Sequence, residues 1–235
     1  MKISEPRRRV LVALARFNML TTGQIYELVF RSSKSRTTVD RQLRYLRDDG
    51  LVTRLERRLA GGANAGSGQW VYRLSASGWR IYRTGPYHSR RSTDFHALTV
   101  ADTYIRVLNA VDAGWLRDDF YAEVEDEAYR SVRGASIRPD MYLELANLER
   151  RKQLYVAVEV DKGTENRPAI WDKLDRYVHA LTHDDGVYEV FPVVWFLVGD
   201  GQRAEQLKRW IRERQPRYTQ YFRVGLVDDF PDCLR

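Results

Sequence analysis

The chain has one cysteine in 235 residues, Cys233, close to its C-terminus. A lone thiol excludes an internal disulfide and a thiolate metal cluster, so any metal must be held by other groups. No apolar run approaches the ~20 residues that a membrane helix needs. The longest, 190–198, is interrupted by Pro192 and reads as a buried strand. The run 10–15 is too short for a secretory signal and ends at Arg16, so no membrane partner and a cytoplasmic location are expected. Also missing are an internal repeat and any Ser/His/Asp or Cys/His arrangement at recognisable spacing. The glycine-rich stretch 60–68 lacks the strand-to-helix setting and the Lys-Ser/Thr pair of a phosphate-binding loop.

What is abundant is arginine, and it is unevenly spread. Residues 1–94 hold nineteen Lys and Arg against seven Asp and Glu, a balance of +12, whereas residues 95–235 hold twenty against twenty-five, a balance of −5. A basic region ahead of a mildly acidic one is the electrostatic footprint of a first part that touches a polyanion.

The basic part reads as three short helices and a hairpin. Val10, Leu11, Leu14 and Phe17 recur at helical spacing, Thr21-Thr22 opens a second helix ending near Val29, and Ser35 is placed to cap a third. In that third helix Val39, Leu43 and Leu46 form the inward stripe. Two strand-like runs, 53–59 and 69–74, flank the glycine-rich tip and make a wing with Arg54, Arg57 and Arg58 at its base. Residues 1–83 thus read as a winged helix-turn-helix domain. Its expected partner is double-stranded DNA, to be contacted by Ser35, Arg36, Thr37, Thr38, Arg41, Gln42, Arg44 and Tyr45 of the third helix and by the three wing arginines. Arg and Gln pair with purine edges; Thr and Ser reach phosphate or a thymine methyl.

Residues 84–95 read as a linker and 96–235 as a second domain. His96 stands at the start of a helix with the stripe Leu98, Ala101, Ile105 and Leu108, where a capping or packing role is the ordinary one. A strand within 115–128 carries Tyr121, Glu123 and Glu125 on one face. In 138–145, Met141, Leu143 and Leu145 alternate with Asp140, Tyr142 and Glu144; in 154–161, Leu154, Val156, Val158 and Val160 alternate with a face ending in Glu159 and Asp161. Pairing these strands brings Asp140 near Glu159 and Asp161. Three such carboxylates repel unless a cation or a proton holds them, which outlines a metal site; acids at strand ends are equally at home in solvated turns. On the helix 168–181 that follows, Lys173 and Tyr177 share a face at i and i+4. A strand at 190–198, a basic helix at 202–214 and a strand at 221–227 complete the chain.

The order helix, three strands, helix, strand, with Asp140 on the second strand and Glu159 on the third, resembles the core of the PD-(D/E)XK nuclease superfamily, and Lys173…Tyr177 is similar to the Gln-x-x-x-Tyr element of its RecB-like branch. Taken with the winged-helix start, Phe95-His96, Arg138-Pro139-Asp140 and Glu159-Val160-Asp161-Lys162-Gly163-Thr164, the chain resembles the replication-relaxation family of bacterial mobile elements. The resemblance implies an α/β fold in which a winged helix-turn-helix precedes an αβββαβ mixed-sheet domain, and action on a plasmid, phage or integrative element. It also implies Mg²⁺ or Mn²⁺ at Asp140, Glu159 and Asp161, with metal-dependent DNA nicking as the activity. The superfamily pattern has Lys two residues after the Glu; here that position is Asp161, and Lys173 on the next helix could supply the ammonium. The alternative is a non-catalytic regulator or replication factor whose second domain is a scaffold or homodimerisation surface.

The charge division yields a direct expectation. Duplex binding should weaken roughly tenfold to a thousandfold between low and moderate salt, because each phosphate contact releases counterions. A fluorescence-anisotropy salt series checks it, and a flat response would count against a polyanion-binding N-terminal region.

Overall fold

The computed structural model describes residues 3–33, 35–55, 70–88, 92–183 and 186–235. Helices and mixed sheets place it in the α/β class, and the chain divides into two compact units, Met1–Ile105 and Arg106–Arg235. The stretch 56–69, with Arg57, Arg58 and the tip of the expected hairpin, lies outside the described residues.

The first unit runs α1 (Glu5–Phe17), β1 (Leu20–Thr21), α2 (Thr22–Val29), α3 (Thr37–Asp48), β2 (Val52–Leu55), β3 (Val71–Leu74) and α4 (Ala76–Tyr82), then enters α5 (Phe95–Asp112). Each amphipathic stripe read from the sequence is buried: Val10, Leu11, Leu14 and Phe17 of α1, and Val39, Leu43 and Leu46 of α3. Thr21 caps α2 in a reciprocal box, its hydroxyl accepting from the Gln24 N–H while the Gln24 side chain accepts from the Thr21 N–H. The side-chain amide of Gln24 then donates to the Leu98 carbonyl at 2.8 Å and to Asp102 at 2.7 Å, fixing α2 against the start of α5. Ser35 does not cap α3: the N-cap residue is Arg36, and the Ser35 hydroxyl bonds Thr37 Oγ1 at 2.6 Å. Two adjacent hydroxyls satisfy each other here rather than the orphan backbone N–H groups. The three strands pair antiparallel in the order β1-β3-β2, with Leu55 opposite Val71 at the last described rung. Between α4 and α5 the chain is tied back to its own unit, Gly85 accepting from the Trp79 indole and His88 from Arg73.

In the second unit the remainder of α5 is followed by β4 (Tyr121–Val124), β5 (Arg130–Val132), β6 (Ala135–Ile137), β7 (Met141–Asn147), β8 (Lys152–Asp161), α6 (Arg167–His183), β9 (Val193–Val198), α7 (Gly201–Arg214) and β10 (Phe222–Leu226). The five-stranded sheet has the order β10-β9-β8-β7-β4; β4, β7 and β8 are antiparallel neighbours, while β9 and β10 run parallel to β8. β9 begins only after Pro192, which has no N–H to give to a ladder. One sheet face, with Ala157, Val194, Phe196 and Val198, packs under Ile170, Leu174, Tyr177 and Ala180 of α6 and Leu207 and Trp210 of α7. The opposite face, with Met141, Leu143, Leu145, Val156 and Val158, is also closed from solvent. On α5 Val107 and Ala110 are buried near the end, whereas Leu108 is half-buried. The small hairpin β5–β6 has no counterpart in the sequence reading; its strands are three residues each, too short to show an alternation.

Gly78 lies closely against fixed backbone. A Cβ there would sit 2.2 Å from the Leu51 carbonyl oxygen, a group already accepting from the Ser75 N–H. Gly78→Ala should therefore destabilise this unit by about 1–3 kcal/mol, the usual range for overpacking against fixed backbone. Urea unfolding of the two proteins measures it, and an unchanged midpoint would mean that α4 shifts without resistance.

Candidate active site

The paired strands deliver what their alternation promised. With Met141 opposite Val158, Asp140 falls just beyond the ladder beside Glu159. Its Oδ2 accepts from the Val160 N–H at 2.6 Å, which pins the carboxylate at the strand end. Glu159, 4% exposed, faces α6. Its Oε1 accepts from the Tyr177 hydroxyl at 2.5 Å and its Oε2 from Lys173 Nζ at 2.8 Å. The i, i+4 spacing of Lys173 and Tyr177 thus closes both oxygens of one buried carboxylate from a single helix face. Lys173 also donates to Glu165 Oε1 at 3.2 Å.

Electrostatics follow from this geometry. Burial, reinforced by Asp140 and opposed by Lys173, pushes the Glu159 carboxyl up to about 7. Burial pulls the Lys173 ammonium down, but Glu159, Glu165 and Asp140 outweigh it and raise its pKa. Burial beside Glu159 likewise raises Tyr177 well above the ordinary phenol range, so it serves as a hydrogen-bond donor.

Asp161 lies on the same strand face but is engaged elsewhere. Its Oδ2 accepts from Arg203 Nε at 2.6 Å and its Oδ1 from the Gly163 N–H at 2.7 Å, in an ion pair whose side chains are 3% and 11% exposed. Arg203 also donates to the Glu165 carbonyl at 2.7 Å and to Gln206 Oε1 at 2.6 Å. The structure therefore brings Asp140, Glu159 and Lys173 together and ties Asp161 to α7 instead. Lys162 is exposed.

Glu165 and Arg203 enter the neighbourhood without having been singled out from the sequence, and Glu125, read there only as a strand residue, joins them. Glu125 is not on the strand face with Tyr121 and Glu123; it follows the strand in a left-handed backbone, φ 56°, and its N–H donates to the Asp140 carbonyl at 3.0 Å. Its carboxylate lies within 4.8 Å of that of Asp140. A non-glycine residue in this conformation costs on the order of 1–3 kcal/mol, and such residues concentrate at functional sites. Positive φ at a glutamate has no sequence signature. Arg203 stands 42 residues from Asp161, beyond the reach of any local pattern.

In the first unit, Arg36, Thr37, Arg41, Arg44 and Tyr45 are exposed on α3 and Thr38 and Gln42 are half-buried. Arg7 of α1 reaches across to Gln42 Oε1 at 3.3 Å and lies over the Tyr45 ring at 4.5 Å. Arg36 stacks on Tyr26 and Arg54 on Trp70, at 5.2 and 3.8 Å. His96 sits in the first turn of α5, its backbone N–H bonded to Asp94 Oδ1.

A family model described as Replication-relaxation matches residues 11–194, from α1 into β9. The chain belongs to the replication-relaxation family. Its membership ties it to replication or relaxation of mobile DNA elements such as plasmids. The match takes in Asp140, Glu159, Asp161 and Lys173 and ends before Arg203. No curated protein and no solved structure matches this replication-relaxation chain. Among the described residues, no helix is long and apolar enough to cross a membrane.

The raised Glu159 value carries a sign. A carboxyl whose folded-state pKa of about 7 exceeds its ordinary 4.5 contributes stability that is full below about pH 4.5 and is lost as pH rises through 7. The thermal midpoint of the metal-free protein should therefore fall between pH 5 and pH 8, and Glu159→Gln should flatten that fall. Parallel slopes for the two proteins would remove Glu159 as its source.

Proposed function

We propose that this replication-relaxation protein binds duplex DNA through its first unit and nicks it at a divalent-cation centre in the second. The observation that carries the cutting is the ammonium of Lys173, 2.8 Å from Glu159 on a helix rather than two residues along the strand. It supplies from α6 the positive charge that the strand lacks at Asp161.

The donor set suits a hard cation. Asp140, Glu159 and Glu125 are all carboxylates, and oxygens of Asp140 and Glu125 lie within 4.8 Å of one another, a spacing that small side-chain adjustments bring to about 4 Å across one ion. Asp140 and Glu159 would hold Mg²⁺ or Mn²⁺, with Glu125 as the neighbouring third carboxylate in place of Asp161. Such a cation supplies charge neutralisation at a phosphate and a more acidic bound water. Lys173 orients the attacking water and balances the negative charge that builds on the phosphate oxygens. Tyr177 keeps Glu159 in one rotamer by its hydrogen bond, and Arg203 fixes the loop after β8 through Asp161 and the Glu165 carbonyl. Before cutting, α3 reads the site: Arg41 and Arg44 are exposed toward solvent, while Gln42 is pre-oriented by Arg7. Arg54 and the wing arginines Arg57 and Arg58 hold phosphates.

The test is nicking of supercoiled plasmid carrying the native origin, with Mn²⁺ or Mg²⁺. Wild type should give open circles, Asp140→Asn and Glu159→Gln should give none, and Lys173→Ala should lower turnover at least ~10-fold with calorimetric Mn²⁺ binding retained. Arg41→Ala should relax site preference, costing about 1–3 kcal/mol on the cognate site. Intact supercoils together with no divalent binding at millimolar metal would leave the second unit a scaffold.

A further inference from the structure

The first unit carries a second surface, unrelated to α3. The side of α1 away from its buried stripe presents Arg8, Arg9, Val12, Ala13 and Arg16, in which Arg8, Val12 and Arg16, and likewise Arg9 and Ala13, stand four residues apart on one face. They line a groove of about 380 Å³ together with Glu5, with Leu28 and Val29 of α2, and with Tyr82 and Tyr104. Val12, in the middle of this stripe, is 49% exposed. One exposed valine is ordinary; a groove that combines aliphatic and aromatic lining with three arginines against one glutamate is more than that. Arg16 is held at the rim, its guanidinium over the Tyr104 ring at 5.3 Å and the Phe17 ring at 5.9 Å. Arg8 is turned toward Glu5, both well exposed at 2.8 Å, a pair that a stronger anion can replace at little cost.

The dimensions and the charge select the occupant. From Glu5 to Arg16 the helix extends about 16 Å at 1.5 Å per residue, the length of three turns of a guest helix. A second copy of this chain docking by the same face would set its own Arg8, Arg9 and Arg16 against these, an isologous contact between like charges. Duplex DNA would meet the arginines mainly with phosphate oxygens, which would leave Val12 and Ala13 against polar atoms. We propose that the α1 groove is a docking site for an amphipathic helical segment of a partner protein, with an apolar stripe on Val12 and Ala13 and acidic flanks on Arg8, Arg9 and Arg16. Recognition of this kind gives the DNA-binding unit a handle for a second macromolecule while α3 is engaged. It does not depend on whether the second unit cuts.

The probe is a fluorescein-labelled helical peptide of about 16 residues with Leu at i, i+3, i+4 and i+7 and Glu on both flanks, titrated into the full-length chain. Binding with Kd below about 100 µM is expected, at least ~10-fold weaker when Lys replaces the flanking Glu. Val12→Asp and Arg9→Glu, both at exposed positions, should each weaken it at least ~10-fold with the thermal midpoint unchanged, and Arg41→Ala should leave it unaltered. If Val12→Asp lowers the midpoint, Arg9→Glu alone decides. No binding, equal binding of the Glu and Lys peptides, or indifference to Arg9→Glu would overturn the proposal. Displacement by a duplex of about 20 base pairs that is lost in Arg9→Glu would make the groove a nucleic-acid surface instead.

Discussion

A carboxylate taken out of water must be given partners or a proton, and the second unit is arranged around meeting that demand at Glu159. Its two oxygens are closed by Tyr177 and Lys173, one turn apart on α6. The bonds dictate how α6 lies over the sheet: its apolar residues Ile170, Leu174 and Ala180 can pack on β8 and β9 only in the rotation that also delivers the hydroxyl and the ammonium. Packing and polar satisfaction are thereby met by the same placement. A buried group with two donors is costly to leave half-paired, so the helix is held more sharply than hydrophobic contact alone would hold it.

Around that centre, each acid has been given a different job by its surroundings. Asp140 is pinned by a backbone N–H, Glu159 is kept near neutrality by burial, Asp161 is neutralised by Arg203, and Glu165 shares Lys173. Four carboxylates within one neighbourhood would be mutually repulsive in water-exposed loops. Here the cations come from α6 and α7, so closing the helices over the sheet and neutralising the site are a single event.

Much of this was legible from residues alone. Alternation in 138–145 and 154–161 fixed which side chains share a face, and the i, i+4 pair of Lys173 and Tyr177 pointed at the same place. The Thr21 cap and the stripes of α1 and α3 follow from spacing that local physics enforces. What escaped is what depends on long-range company. Asp161 was grouped with Asp140 and Glu159 because a strand pattern reports direction and not the guanidinium 42 residues later. Glu125 looked like a strand residue because positive φ is invisible in a glutamate, and Ser35 looked like a cap because a neighbouring hydroxyl competes in a way composition does not record.

The Asp161–Arg203 pair has a consequence for the history open to this site. Placing lysine at position 161 in one step would bury an ammonium against a guanidinium. Removing Arg203 first would strand a buried carboxylate, which costs about 3–5 kcal/mol. Each single change is uphill, so the effects of substitutions at the two positions are coupled.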